Sequence, residues 1–409
     1  MRVAFFAQPE YSHLMPVVVP VADAARRAGH DTVVATGAHM VPAVERVGLR
    51  TLTLPNARSL GTLWNDPEAA RRYGLDLGGL AKVGVETVRS APDSVARTFA
   101  GGLARCFAED LIEALGEWKP DLVVYETVAF AAYYAAEVLG LPRAVLDISP
   151  LVPPAGESLL RELNTQRRAL GLRPTDDPLH PFRTMIAGVV PEAFYPPGRR
   201  PAGLRHYRPA GPPADQRLDP GVAGLPADRP LVLVSMGSFA PRLLAERPAA
   251  LEMIVAALGE LPVTAVVALG EGRTADDWPG RCPDNVYLTS FVQQQLLLPA
   301  CDLFITHGGF SGVREALHAG VPMVVLPLFA EQPENAARVG ELGLGVTLSV
   351  EELSAASVAA ACRRILDDPA YRFRARAMQR RFLALPGFDQ LVADLADLAD
   401  LADLADLVG

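Results

Sequence analysis

One stretch of this sequence combines residue types and spacings that suit phosphate chemistry: Thr306-His307-Gly308-Gly309-Phe310-Ser311-Gly312-Val313-Arg314-Glu315-Ala316-Leu317. It follows an apolar run, Leu303 to Thr306, and leads into a helical pattern. Glycines at 308, 309 and 312 let the backbone approach a ligand, and the amides of a helix N-terminus would point at it. The physical suggestion is a pyrophosphate, with His307 adding a hydrogen bond and, when protonated, positive charge. No lysine follows the glycines and the spacing is not G-x-G-x-x-G, so neither common nucleotide loop is present. A second stretch, Pro9-Glu10-Tyr11-Ser12-His13-Leu14-Met15-Pro16, sets a histidine between a strand pattern and a helix. Residue type alone leaves His13 open between a proton-transfer group, a helix cap and an exposed side chain.

The elements that position these residues read as alternating strands and helices. In the first half, strand patterns at Arg2 to Ala7, Thr32 to Ala35, Asp121 to Tyr125 and Arg143 to Asp147 alternate with helical ones. Those helical stretches are Leu14 to Ala28, Ser94 to Trp118 and Ala132 to Leu139. The second half repeats the grammar. Its strands are Leu231 to Ser235, Thr264 to Ala268, Val286 to Leu288, Leu303 to Thr306 and Met323 to Leu326. Its helices are Arg247 to Glu260, Val313 to Ala319, Glu334 to Leu342 and Ala355 to Leu366. Such alternation implies an α/β fold of two doubly wound, Rossmann-like domains with parallel sheets, and ligands in a cleft at the carboxyl ends of the strands.

Ten prolines fall between Pro191 and Pro230, marking an extended join. The predicted organisation is a domain over residues 1–208, a linker over 209–229, a second domain over 230–385 and a tail over 386–409. In that tail the triplet Ala-Asp-Leu occurs five times from Ala393 to Leu407. A period of three falls short of 3.6, so successive leucines rotate by about 60° and spiral round a helix. The first turns are expected to pack and the remainder to fray.

Composition removes several function classes. The formal charge of −9, without a basic run, argues against nucleic acid. No apolar run nears the roughly 18 residues a bilayer requires. The opening apolar stretch, Val3 to Ala7, ends at Gln8-Pro9-Glu10, too early for a secretory signal, so a cytoplasmic location is expected. The four cysteines form no C-x-x-C pair and suggest neither zinc nor a disulfide framework. Neither Asp176-Asp177 nor Asp276-Asp277 forms a metal-binding pattern.

The segment around His307 resembles the nucleotide-sugar signature of the family 1 glycosyltransferases of the GT-B fold, which include bacterial enzymes that glycosylate macrolides, enediynes and aromatic polyketides. The resemblance spans nearly the whole chain. It implies that Phe291 stacks on the nucleotide base, where a tryptophan is usual, with Val292 beside it and Gln294 at the usual glutamine; Gln293 replaces a proline. It implies phosphate contacts from His307, Gly309, Ser311 and Gly312, and from Ser238 in Ser235-Met236-Gly237-Ser238. Glu315 would accept from ribose hydroxyls, and Glu331 and Gln332 in Pro327-Leu328-Phe329-Ala330-Glu331-Gln332-Pro333-Glu334-Asn335 would read the sugar. On the acceptor side, Ser12-His13-Leu14-Met15-Pro16 is similar to the family's Gly-His-x-x-Pro, which makes His13 the general base. Glu126, in Pro120-Asp121-Leu122-Val123-Val124-Tyr125-Glu126, stands where an aspartate usually partners that histidine. Tyr11, Trp64, Phe130 and Tyr134 are candidates for an aromatic acceptor pocket.

The activity so implied is inverting transfer of a hexose or deoxyhexose from a UDP- or TDP-sugar to a hydroxyl, or a carbon, of a small hydrophobic natural product. No metal and no cofactor beyond the co-substrate are expected, and the chain is expected to act as a monomer or homodimer without a membrane partner. Two other readings fit the same architecture. A nucleotide-sugar epimerase would place acid and base groups around the sugar ring, and a non-catalytic partner protein would keep the fold without turnover.

Overall fold

Short runs rich in Val, Leu, Phe and Ala form the strands of two parallel sheets. The structure, a computed structural model, describes residues 1–64, 66–75, 92–148, 150, 156–198, 200–212, 215–237, 249–270, 272–328 and 331–408. It divides into two units, Met1–Ala210 with Leu385–Gly409, and Gly211–Ala384.

The first unit holds β1 (Arg2–Phe6), β2 (Asp31–Gly37), β3 (Arg50–Leu54), β4 (Leu122–Glu126), β5 (Arg143–Asp147), β6 (Met185–Gly188) and β7 (Leu204–His206). Their order is β3-β2-β1-β4-β5-β6-β7, and every pair is parallel. Val3, Phe5, Val33, Val34, Val124 and Val145 are fully buried, as expected when both faces of a parallel sheet are covered by helices. The chain winds outward from β1 to β3, then returns to lay β4 on β1's other side. The connection therefore reverses between β1 and β4, the point where open α/β sheets present ligand sites beyond the strand ends. Phe6 pairs with Tyr125 there, so the residues following β1 lie next to Glu126.

The second unit repeats the plan with β8 (Leu231–Ser235), β9 (Thr264–Ala268), β10 (Val286–Thr289), β11 (Leu303–Thr306), β12 (Met323–Val325) and β13 (Gly345–Thr347). Their order is β10-β9-β8-β11-β12-β13, again parallel throughout. Here the reversal falls between β8 and β11, and Ser235 pairs with Thr306. Both stretches singled out for chemistry thus leave a central strand at its unit's own switch point.

Sequence periodicity does not reveal β3, β6, β7 or β13. β13 is three residues long, and β3 alternates Arg and Thr with Leu, so neither makes an apolar run. β7 lies inside the proline-rich stretch, which permits it because it is an edge strand. The helices Glu157–Ala169 and Pro369–Leu383 also add to the expected set. Among the described residues no helix is long and apolar enough to cross a membrane.

The tail returns to the first unit, where Arg208 N donates to Pro386 O at 2.7 Å. It forms one helix, Phe388–Val408, whose first turns pack as expected, with Leu391, Val392 and Leu395 buried. The expected rotation of the leucines is visible. Leu395 is fully buried and Leu401 is 64% exposed, while Ala399 takes over the buried face at 2%. Asp394 fastens this helix by accepting from Tyr207 and from Arg205 at 2.9 Å.

Candidate functional site

In the first unit, β1 delivers the chain into a helix whose start is unusual. Residues Tyr11–His13 open an α-turn, Leu14–Val18 widens into a π-turn, and Val19–Arg27 resumes the α-helix. Pro16 and Pro20 have no N–H to donate, so the regular ladder cannot run through them, and Val19 N instead reaches Leu14 O. His13 ends the first turn and its side chain is one-quarter exposed.

His13 Nδ1 lies 3.0 Å from Glu126 Oε1. Glu126 is fully buried at the end of β4 and is fixed by two backbone donors: Val128 N to Oε2 at 2.7 Å and Gln8 N to Oε1 at 3.3 Å. A carboxylate that receives main-chain N–H groups on both oxygens acts as an acceptor, so His13 is the donor in the third contact. The proton then resides on Nδ1, and Nε2 carries the lone pair that can take a proton. The extra methylene of glutamate, compared with aspartate, is absorbed by the turn, because Glu126 caps its own loop at Val128 with one oxygen and meets His13 with the other.

The four aromatic candidates separate. Tyr11 is 60% exposed beside His13 in sequence. Tyr134 is fully buried and its hydroxyl donates to Ala100 O at 2.7 Å, while Phe130 is buried against the edge of Phe182. These two are corrected to core residues: every residue from Phe130 to Ala136 is buried, and both rings join Tyr133 in the apolar cluster. The Trp64 side chain lies outside the described residues, as does Ser238.

In the second unit, the helix Phe310–Ala319 begins three residues before its apolar pattern, which puts Ser311 and Gly312 in its first turn. The amides of Gly309, Ser311 and Gly312 have no partner among the described residues, whereas Phe310 N donates to Glu331 Oε1 at 3.2 Å. A carboxylate therefore already sits at this helix end, where the dipole favours negative charge. Asn335, 1% exposed, donates from Nδ2 to Gly308 O at 3.0 Å. Because carbonyl and N–H point opposite ways across a trans peptide, this bond turns the Gly309 N–H away from Asn335.

His307 is held between two glycines. A Cβ on Gly237 would lie 2.6 Å from Cε1 of the ring, and one on Gly309 would lie 2.5 Å from Nε2. Gly308 itself has φ +83°, and a Cβ there would meet Val325 at 2.6 Å. Although an edge of the ring reaches solvent, its Nδ1 is buried without a hydrogen-bonding partner. Burial pushes the imidazole down to about 4, so His307 is neutral near pH 7. The positive charge expected of His307 is therefore absent before any ligand binds.

Glu315 accepts from Gln294 Nε2 at 2.6 Å and from Gln295 Nε2 at 3.0 Å. Gln294 and Glu315 are thus brought together, and Gln295 is a third member that the signature did not indicate. Phe291 is 70% exposed, a ring with a face open to stacking, while Val292 beside it is buried. Gln332 is 2% exposed and its Oε1 accepts from Leu328 N at 2.8 Å, so its amide ties down the loop preceding its own helix. The signature gives no role to Gln8 or Gln295, nor to Asn335, which closes the segment containing Glu331 and Gln332. The available signal for Gln8 and Asn335 was a polar side chain at a position that the surrounding apolar pattern buries.

Residues 252–398 match the family described as Erythromycin biosynthesis protein CIII-like, C-terminal domain. The chain is 28% identical to 4'-demethylrebeccamycin synthase of Lentzea aerocolonigenes, covering 94% of this chain and 96% of that protein. It is 29% identical to demethyllactenocin mycarosyltransferase of Streptomyces fradiae, covering 91% and 80% respectively. Its structure is similar to the crystal structure of the glycosyltransferase SnogD from Streptomyces nogalater, with a TM-score of 0.74, 25% identity and coverage of 98% and 99%.

Proposed function

We propose that this chain, which is a glycosyltransferase of the GT-B fold akin to those of bacterial antibiotic biosynthesis, moves a hexose or deoxyhexose from a UDP- or TDP-sugar to a small hydrophobic acceptor, with inversion. The observation that carries the mechanism is the 3.0 Å contact between His13 Nδ1 and a buried Glu126. An acceptor hydroxyl would pass its proton to Nε2 of His13 while its oxygen attacks the anomeric carbon from the face opposite the diphosphate. Glu126 would hold the ring in the required tautomer and offset the positive charge formed on it.

Departure of the diphosphate concentrates negative charge at the donor. The open amides of Gly309, Ser311 and Gly312 support this assignment, since each can donate to that charge without first breaking a protein hydrogen bond, and His307 would add an N–H from the ring edge that reaches solvent. Phe291 would stack on the base, and Glu315 with Gln294 would take the ribose hydroxyls using lone pairs left over from their mutual bond. Glu331 and Gln332 would meet the sugar. On this reading the leaving group is stabilised by dipoles and hydrogen bonds, and no metal is required.

The test is incubation with UDP-glucose and TDP-glucose and a panel of aromatic and macrolide alcohols, followed by mass spectrometry. A product heavier by one hexose, with nucleoside diphosphate released only when the acceptor is present, is expected. Diphosphate release independent of any acceptor, or epimerised donor, contradicts the reading.

A further inference from the structure

Two residues beyond β1 stands a polar side chain that packing does not require. Gln8 is 4% exposed and follows a run of buried apolar residues, Val3 to Ala7. An apolar residue of similar volume would fill the same space without the cost of burying an amide, so the amide needs a reason. Its Nε2 donates to Val128 O at 3.0 Å, and its backbone N donates to Glu126 Oε1 at 3.3 Å. Val128 N in turn donates to Glu126 Oε2 at 2.7 Å. Gln8, Val128 and the Glu126 carboxylate thus close a ring of three hydrogen bonds, and the remaining lone pair of Oε1 faces His13.

We infer that Gln8 is a positioning residue for the proposed proton-transfer pair: its side chain fixes the turn that fixes Glu126. The inference rests on the reading of His13 as the base. The rest of the turn is secured from other directions. Thr127 Oγ1 donates to Asp147 Oδ1 at 3.0 Å, and Phe130 N donates to Val128 O at 3.0 Å, tying the turn to β5 and to the helix Phe130–Leu139. Gln8 is the side chain that ties it to the segment leading from β1 to His13. Without that tie, the glutamate, longer by one methylene than an aspartate, has a further rotatable bond through which its carboxylate can swing off Nδ1.

The test compares wild type with Gln8→Met, which keeps the volume and removes the donor, and with His13→Ala. Imidazole 15N NMR reads the His13 tautomer without any substrate, and turnover is measured with UDP-glucose or TDP-glucose and 4-methylumbelliferone as a probe phenol. Wild type is expected to hold His13 as the Nδ1–H tautomer. Gln8→Met is expected to shift it toward a mixture with Nε2–H and to lower kcat about tenfold, with KM for the donor unchanged. His13→Ala is expected to lower turnover about 10²-fold or more.

An unchanged tautomer in folded Gln8→Met overturns the inference, whatever its kcat. Near-normal turnover of His13→Ala overturns the base reading instead, so the two failures are distinct. If Gln8→Met does not fold, Gln8→Glu keeps the shape and places an acceptor against Val128 O. It is expected to disturb the tautomer more strongly, and an undisturbed tautomer there also overturns the inference.

Discussion

At the scale of single residues, the account depends on protons and on where they sit. His13→Ala is expected to lower kcat by about 10²-fold or more, the usual worth of a positioned general base, with donor binding retained; initial rates at saturating donor check this. Glu126→Gln should lower kcat as well, because an amide can donate to Nδ1 and so favour the wrong tautomer. His307 gives a prediction about pH. Its folded-state value is depressed to about 4 from 6.5, so between those limits the unfolded chain binds a proton that the folded chain does not. The stability it contributes is therefore fully present above pH 6.5 and is lost as pH falls toward 4. A His307→Asn variant should lose less Tm than wild type across that window, measured by scanning calorimetry in matched buffers. Equal losses contradict a buried neutral histidine.

At the scale of elements, the helix end at 309–313 and the tail make separate predictions. Gly309→Ala would drive a methyl group into the His307 ring, so donor affinity should fall at least tenfold by calorimetric titration. In the tail, Leu395 is fully buried and Leu401 is 64% exposed although both close a copy of the same Ala-Asp-Leu triplet, two repeats apart. Leu395→Ala should cost about 2–5 kcal/mol in denaturant unfolding, and Leu401→Ala no more than about 0.5 kcal/mol. This contrast follows from arithmetic visible in the sequence, since a three-residue repeat must rotate off any fixed face. The sequence also exposes the main strands and the helix carrying Glu315, because their apolar runs are long and bounded by glycine. It conceals β3 and β7, whose residues alternate or carry charge, and β13, only three residues long, all of which take strand form through their neighbours. The site divides similarly. His307, Gln294 and Glu315 lie within a recognisable signature, whereas Gln8 and Asn335 act through main-chain atoms of distant residues, which spacing along the chain cannot reveal. Aromatic residue type misled at Phe130 and Tyr134, in a helix whose first seven residues are all buried.

At the scale of the whole molecule, each unit sets its candidate residues at its own topological switch point: His13 and Glu126 beyond β1 and β4, Gly237 and His307 beyond β8 and β11. A net charge of −9 would repel a nucleoside diphosphate at long range, so binding must come from short-range amide dipoles and aimed side chains. The most direct measurement of the central claim is a thermal-shift series with UDP, TDP and GDP. At a concentration about 100 times Kd, a bound nucleotide adds about 2.7 kcal/mol, and for units of this size that raises Tm by roughly 5–10 °C. UDP or TDP should give such a rise in wild type and a much smaller one in Gly309→Ala. A flat response to all three nucleotides would contradict the account.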